Sequence, residues 1–272
     1  MWQPQLSLHI LLGIMIKTMP NTKIPPFLQV CLVLLAALST SYAEPTAKII
    51  PQTQAVNING TSIEVDVYKP IGPQKGAAIL THGFTRSRTT MGEHAQALAA
   101  RGILAITPDM PCTFDFRCNA AAITELVNRL RNTDTFSSSS QRIMLVGFSA
   151  GGLSSLLAAD TPGVVGFVGL DPFDRVLSNE TERAGITASR RLTTEALILR
   201  APASSCNAKA VAAPWGSEMK ALWRDELIAG ASHCDFEAPS DWKCRLACGD
   251  TDPARQLQVR QGLLDAAARW LQ

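Results

Sequence analysis

Ser149 stands in the run Gly147-Phe148-Ser149-Ala150-Gly151, a G-x-S-x-G pattern. An apolar stretch, Arg142 to Val146, precedes it, and a Leu- and Ala-rich stretch, Ala150 to Ala159, follows. A strand that turns abruptly into a helix strains the backbone of the residue between them and presents its side chain. The positions two residues away then have to be nearly free of side chain, because strand and helix crowd there. A serine hydroxyl held in this way is a nucleophile, but a weak one, and it needs a base. Three histidines follow residue 43: His82, His94 and His233. The order along the chain for such an elbow is serine, acid, histidine, and only His233 comes after the serine. His94, beside Glu93 and Gln96 in a helical pattern, reads as a surface residue.

The acid belongs on a loop after a strand that follows the serine. Asp171 directly follows the apolar run Val164 to Leu170, where an α/β sheet places its site, and is the first choice. Asp174 is the reserve. The next strand candidate, Glu195 to Leu199, is followed by residues 200–205 without a carboxylate. Asp235 lies too close to His233 to be its usual partner and reads as a brace for that loop. His82-Gly83-Phe84 ends an early strand, and the backbone N–H groups of Phe84 and Ala150 are the candidate oxyanion donors. The side chains of Phe84 and Phe148 are candidates for the substrate pocket, with a core position equally open to Phe148.

These groups need a scaffold that holds distant segments together. Ile63, Val65 and Val67 alternate with polar residues, as in an antiparallel or edge strand. Gly76–Thr81, Ile103–Thr107, Arg142–Val146, Val164–Leu170 and Glu195–Leu199 are short apolar runs, with Asp225–Ala229 as a last strand candidate. Helical patterns fall between them: Met91–Arg101 closed by Gly102, Asn119–Arg131 with Asn119 as its N-cap, Ala150–Ala159, and Pro253–Leu271. Continuous apolar strands alternating with helices predict an α/β fold, a mostly parallel sheet with helices on both faces. Only 23 residues, 172–194, separate Asp171 from the next strand, too few for a large cap domain, so the site is expected to be open.

The HGF loop (His82–Phe84), GFSAGG (Gly147–Gly152), GLDPFD (Gly169–Asp174) and SHCDFE (Ser232–Glu237) together resemble the α/β-hydrolase superfamily over nearly all of residues 50–272. Within it the chain is similar to the chlorophyllase and cutinase-like serine esterases. The acid within a GLDP run matches the chlorophyllase arrangement. Cutinase-like polyester hydrolases place it one strand later, and plant chlorophyllases usually carry Arg where Ala150 stands. The resemblance implies an ester substrate cleaved through an acyl-enzyme on Ser149, Asp171 and His233 without cofactor or metal, and the open site expected from the short 172–194 segment admits bulky or lipid-like esters. The same triad serves thioester and amide cleavage, and the fold is also compatible with a binding protein that does no chemistry.

Residues 1–43 contain Lys17 and Lys23 and no acid. Phe27–Leu38 is an apolar run too short to span a membrane, followed by Ser41-Tyr42-Ala43, with small residues at the −3 and −1 positions of a cleavage site. This is the grammar of a signal peptide, with the start at Met1, Met15 or Met19, and it predicts a secreted or periplasmic catalytic domain over 44–272 with no integral membrane span. The formal net charge of +2 comes from the two leader lysines; the remainder carries 23 basic and 23 acidic residues. With no run of five like charges, the chain has no electrostatic footprint for a nucleic-acid partner. Six of the seven cysteines lie beyond residue 43, an even number that reads as three disulfides. Cys112 and Cys118 are close enough to pair locally. Cys206, Cys234, Cys244 and Cys248 allow three pairings, of which Cys244–Cys248 is the least favoured because it bridges one helical turn.

Overall fold

The computed structural model describes residues 49–132, 135–136 and 139–272, so the leader expected over 1–43 lies outside the described residues. Eight strands form one sheet: β1 (Gln52–Ile58), β2 (Thr61–Tyr68), β3 (Gly76–Thr81), β4 (Ile103–Pro108), β5 (Ile143–Phe148), β6 (Val164–Leu170), β7 (Ala196–Arg200) and β8 (Leu222–Leu227). Their spatial order is β1-β2-β4-β3-β5-β6-β7-β8. Strand β2 runs antiparallel to β1 and β4, and every other pairing is parallel. Strands β3, β4 and β5 are buried along their whole length, which is why their sequences are uninterrupted apolar runs.

Seven helices accompany the sheet among the described residues: α1 (Gly92–Ala99), α2 (Phe116–Asn132), α3 (Ala150–Leu157), α4 (Ala184–Arg191), α5 (Trp215–Glu218), α6 (Trp242–Cys248) and α7 (Pro253–Leu271). Residues of α2 to α5, among them Ile123, Leu153, Ile186 and Trp215, fill one core layer. Met91, Leu98, Val259, Leu263 and Trp270 fill the layer on the opposite face with α1 and α7. Helix α7 starts at Pro253, and the Asp252 carboxylate accepts the N–H groups of Ala254 and Arg255 at 2.8 and 3.2 Å. Such a cap satisfies donors that the first turn leaves open, worth about 1 kcal/mol. Between β6 and β7 the chain forms only a Val176–Arg183 bridge and α4, so no large cap domain is present.

Three expectations are corrected, and one strand is added. Strand β1 was not foreseen, because its sequence QTQAVNI is mostly exposed at the sheet edge. Strand β8, at the other edge, begins at Leu222 rather than Asp225 and is half polar for the same reason. Asn119 lies inside α2 instead of capping it: its side chain binds the backbone N–H and C=O of Cys112, while Asp115 accepts the Cys118 N–H at the helix start. His94 is fully buried, because α1 turns its Gly92–His94–Ala95–Leu98–Ala99 face to the core.

Candidate active site

Strand β5 ends at Phe148 and α3 begins at Ala150, leaving Ser149 as the single residue of the turn. Its φ of 52° and ψ of −118° are strained for a residue with a side chain. The neighbouring glycines are a steric requirement. A Cβ on Gly147 would stand 2.4 Å from the Gly151 carbonyl oxygen, and one on Gly151 would stand 2.5 Å from that of His82.

Asp171 extends the chain beyond β6, its N–H bonded to the Leu199 carbonyl at 2.7 Å. It also has positive φ, 38°. His233 opens a short 3-10 turn, His233–Phe236, after β8. These positions bring the three side chains into one hydrogen-bonded line. Ser149 Oγ lies 3.0 Å from His233 Nε2, and His233 Nδ1 lies 2.5 Å from Asp171 Oδ2. A carboxylate only accepts, so Nδ1 carries the proton and Nε2 is left to accept from the serine hydroxyl. The site is largely withdrawn from water: Ser149 is 8%, Asp171 2% and His233 7% exposed. The Phe148 ring packs against the imidazole with centroids 4.7 Å apart.

Asp171 and Asp174 separate cleanly. The Asp174 carboxylate points to α4 and α5, where it accepts N–H groups from Trp215 Nε1, Gly185 and Arg175, each at 2.8 Å. Burial pushes its pKa up against those three donors. Asp171 also accepts the Ala201 N–H at 3.0 Å and faces Asn207 Nδ2 at 3.3 Å from both carboxylate oxygens. Asn207 was not singled out from the sequence. Its only cue was adjacency to Cys206. It organises a turn in which Ala208, Lys209 and Ala210 all have positive φ, its Oδ1 accepting from Ser204 N and Ala210 N at 2.8 and 2.9 Å.

His82 and His94 have structural partners, His94 through the Phe236 carbonyl at 3.2 Å. His82 Nδ1 donates to the Gly83 carbonyl at 2.8 Å and Nε2 accepts the Met110 N–H at 3.1 Å, a neutral tautomer that pins the oxyanion-loop candidate to the end of β4. Burial holds its pKa below the ordinary value. The amides of Phe84 and Ala150 donate to no backbone or side-chain acceptor among the described residues, and Ala150 N–H stands at the positive end of α3. Gly83 approaches Ser149 closely, since a Cβ there would stand 3.3 Å from the serine Cβ.

The His233 loop is tied down from several sides. Asp235 accepts the N–H groups of Ser232 and Asp252 at 2.8 and 2.7 Å. Arg86, two residues after Phe84, makes a two-point ion pair with the fully buried Glu237 and a second with Asp241. Burial raises the Glu237 pKa although Arg86 opposes it; the two acids raise that of Arg86 against its own desolvation. Disulfides join Cys112 to Cys118, Cys206 to Cys248 and Cys234 to Cys244. The last two fasten α6 to the segments of Asn207 and His233. The sulfurs of Cys234, Cys244 and Cys248 lie within 4.8 Å of one another; the two bridges occupy them, so they offer a metal no free thiolate.

The family model described as the alpha/beta hydrolase family matches residues 78–271. The chain belongs to that family. Among solved structures, this family member is similar to a dienelactone hydrolase from Anabaena variabilis (TM-score 0.65, 16% identity, 83% of this chain and 100% of that one). Est1E from Butyrivibrio proteoclasticus matches with a TM-score of 0.56 at 16% identity over 79% and 99%. Esterase 2 from Thermogutta terrifontis, phosphoramylated by tabun, matches with a TM-score of 0.60 at 15% identity over 84% and 97%. At these identities the likeness is one of fold. No curated protein matches the chain by sequence.

Proposed function

We propose that this protein is a serine hydrolase that cleaves carboxylic esters through an acyl-enzyme. The observation that carries the reading is the hydrogen-bonded line from Ser149 through His233 to Asp171, with the serine on a strained turn. His233 Nε2 takes the hydroxyl proton as Oγ bonds to the ester carbonyl carbon. Asp171 holds the imidazole tautomer and stabilises its charged form. The carbonyl electron pair moves onto oxygen, which the Phe84 and Ala150 N–H groups receive as the oxyanion. When the intermediate collapses, the alcohol leaves with the proton from His233. Water, deprotonated by the same imidazole, then attacks the acyl carbon and frees Ser149. Every step is served by protein groups.

The absence of a large cap and the exposed Phe84–Phe114 pair, with ring centroids 5.0 Å apart, support access by bulky or lipid-like esters. The catalytic domain is read as residues 44–272, exported behind a signal peptide at 1–43 into a secreted or periplasmic location. Three disulfides support an oxidising compartment, and no helix among the described residues is long and apolar enough to cross a membrane. The deciding experiment is reaction with a fluorophosphonate probe alongside hydrolysis of 4-nitrophenyl acetate. The wild type is expected to be labelled and active. Ser149→Ala is expected to lose the label and at least about 10⁴-fold in kcat while unfolding at the same temperature. Turnover that survives the substitution refutes the mechanism.

A further inference from the structure

An ester bound at Ser149 has two halves, and the one that departs lies beside His233, because that imidazole returns the proton to the leaving oxygen. The space on that side is a cleft of about 270 Å³ lined by Phe84, Phe148, His233, Lys243 and the Cys206–Cys248 bridge. Through Thr85, Arg86 and Lys243 it shares a wall with a second cleft of about 310 Å³, whose other walls carry Ser87, Thr89, Ser240 and Asp241, the last held by Arg86. A cavity of about 100 Å³ lined by Met110, Phe116 and Ala150 does not touch His233. It is small and partly aromatic, so it suits a short acyl group.

The charges along the larger path are unequal. Arg86 is engaged by Glu237 and Asp241 and has little left to offer a ligand. Lys243 lines both of the larger clefts, and among the described residues it makes no ion pair. It follows the α6 N-cap Asp241, and Cys244 beside it is locked to Cys234, so its backbone is held in place. The path from Ser149 therefore combines an apolar entry, hydroxyl groups, an Asp241 carboxylate already paired with Arg86, and Lys243, a cation with no ion-pair partner among the described residues. We propose that the substrates are esters of a short acyl group with an alcohol or phenol that carries an anionic group, the anion pairing with Lys243. This rests on the serine-esterase reading above and specifies its substrate class.

The test compares three chromogenic esters: 4-nitrophenyl acetate, 3-carboxy-4-nitrophenyl acetate with the anion on the leaving half, and 4-nitrophenyl hemisuccinate with the anion on the acyl half. Lys243→Met is expected to lower the ratio of kcat/KM for the carboxylated acetate over its neutral parent by about fivefold, the size of a solvent-accessible ion pair. The change is expected in KM. Lys243→Arg is expected to restore the ratio, and raised salt to compress it in the wild type. An unchanged ratio, or a fall confined to the hemisuccinate, overturns the proposal while leaving the esterase intact. A wild type that turns over none of the three and takes no fluorophosphonate label overturns the esterase reading, and the proposal with it.

Discussion

Arg86 and Glu237 meet in a two-point ion pair, Nε to Oε2 at 2.9 Å and Nη2 to Oε1 at 2.7 Å, and so connect the loop of Phe84 to the loop of His233. The segments are 151 residues apart in sequence. On the proposed mechanism, their relative position decides whether the base and the oxyanion donors face the same carbonyl group. The pair is closed over by protein, with Glu237 fully buried and the Arg86 side chain 10% exposed.

Removal of Arg86 leaves the buried Glu237 carboxylate with only the Ser240 hydroxyl as a partner, at a cost of about 3 kcal/mol, whereas removal of Glu237 leaves Arg86 its pair with Asp241. Glu237→Ala is expected to lower the denaturation midpoint and to reduce kcat more than Arg86→Ala,Glu237→Ala does relative to Arg86→Ala. A double-mutant cycle on both stability and kcat/KM measures this coupling. Additive effects refute the link between the loops.

The two acids after β6 have different tasks. Asp171→Asn leaves an amide that can no longer impose the imidazole tautomer, and kcat is expected to fall by about 10³ to 10⁴ with the fold retained. Asp174→Ala strands the Trp215, Gly185 and Arg175 donors and is expected to cost about 2 kcal/mol in stability with kcat within a few-fold of wild type. Chemical denaturation and steady-state kinetics on both variants separate the assignments, and the reverse pattern rules this one out.

Asn207 is expected to act through Asp171. Asn207→Ala removes the amide facing the carboxylate and loosens a turn with three successive positive-φ residues. The expected outcome is about a tenfold loss in kcat with KM little changed, because the carboxylate that holds the imidazole is less firmly placed. Asn207→Gln, with the same amide on a longer arm, should recover less than half of the loss. A stability change with kcat unaltered reduces Asn207 to a loop residue.

His94 gives the fold a sensitivity to acid. Burial, with Arg260 nearby, lowers its pKa to about 4 although the Phe236 carbonyl opposes the shift. The unfolded chain therefore takes up a proton before the folded one does. The stability carried by neutral His94 is complete above about pH 6.5 and is lost as pH falls to about 4, a total of about 3 kcal/mol. His94→Gln is expected to flatten this acid limb in urea unfolding between those pH values. Because Phe236 sits in the His233 turn, inactivation of the wild type should accompany the loss of stability.

Much of the architecture was readable from the sequence for a simple reason. A parallel strand buried on both faces has to be an unbroken apolar run, and β3 to β6 are written that way. Both edges were harder, because β1 and β8 face water along one side and their patterns resemble loops. The elbow around Ser149 was equally visible, since only glycine fits where Gly147 meets Gly151 and where Gly151 meets His82. Chain order then singled out His233 and left two acids a turn apart.

What the sequence alone determined was local: the period of the buried strands and helices, the need for glycine at a crowded turn, and an even set of cysteines beyond residue 43. Tertiary structure decided every relationship between distant segments. It placed Asp171 rather than Asp174 against His233, chose Cys206–Cys248 and Cys234–Cys244 among three pairings, buried His94, and brought Asn207 and Glu237 to the site. The physical reason is that a side chain's partner across 36 to 151 residues depends on where the packed sheet sends each loop, and no local pattern records that destination.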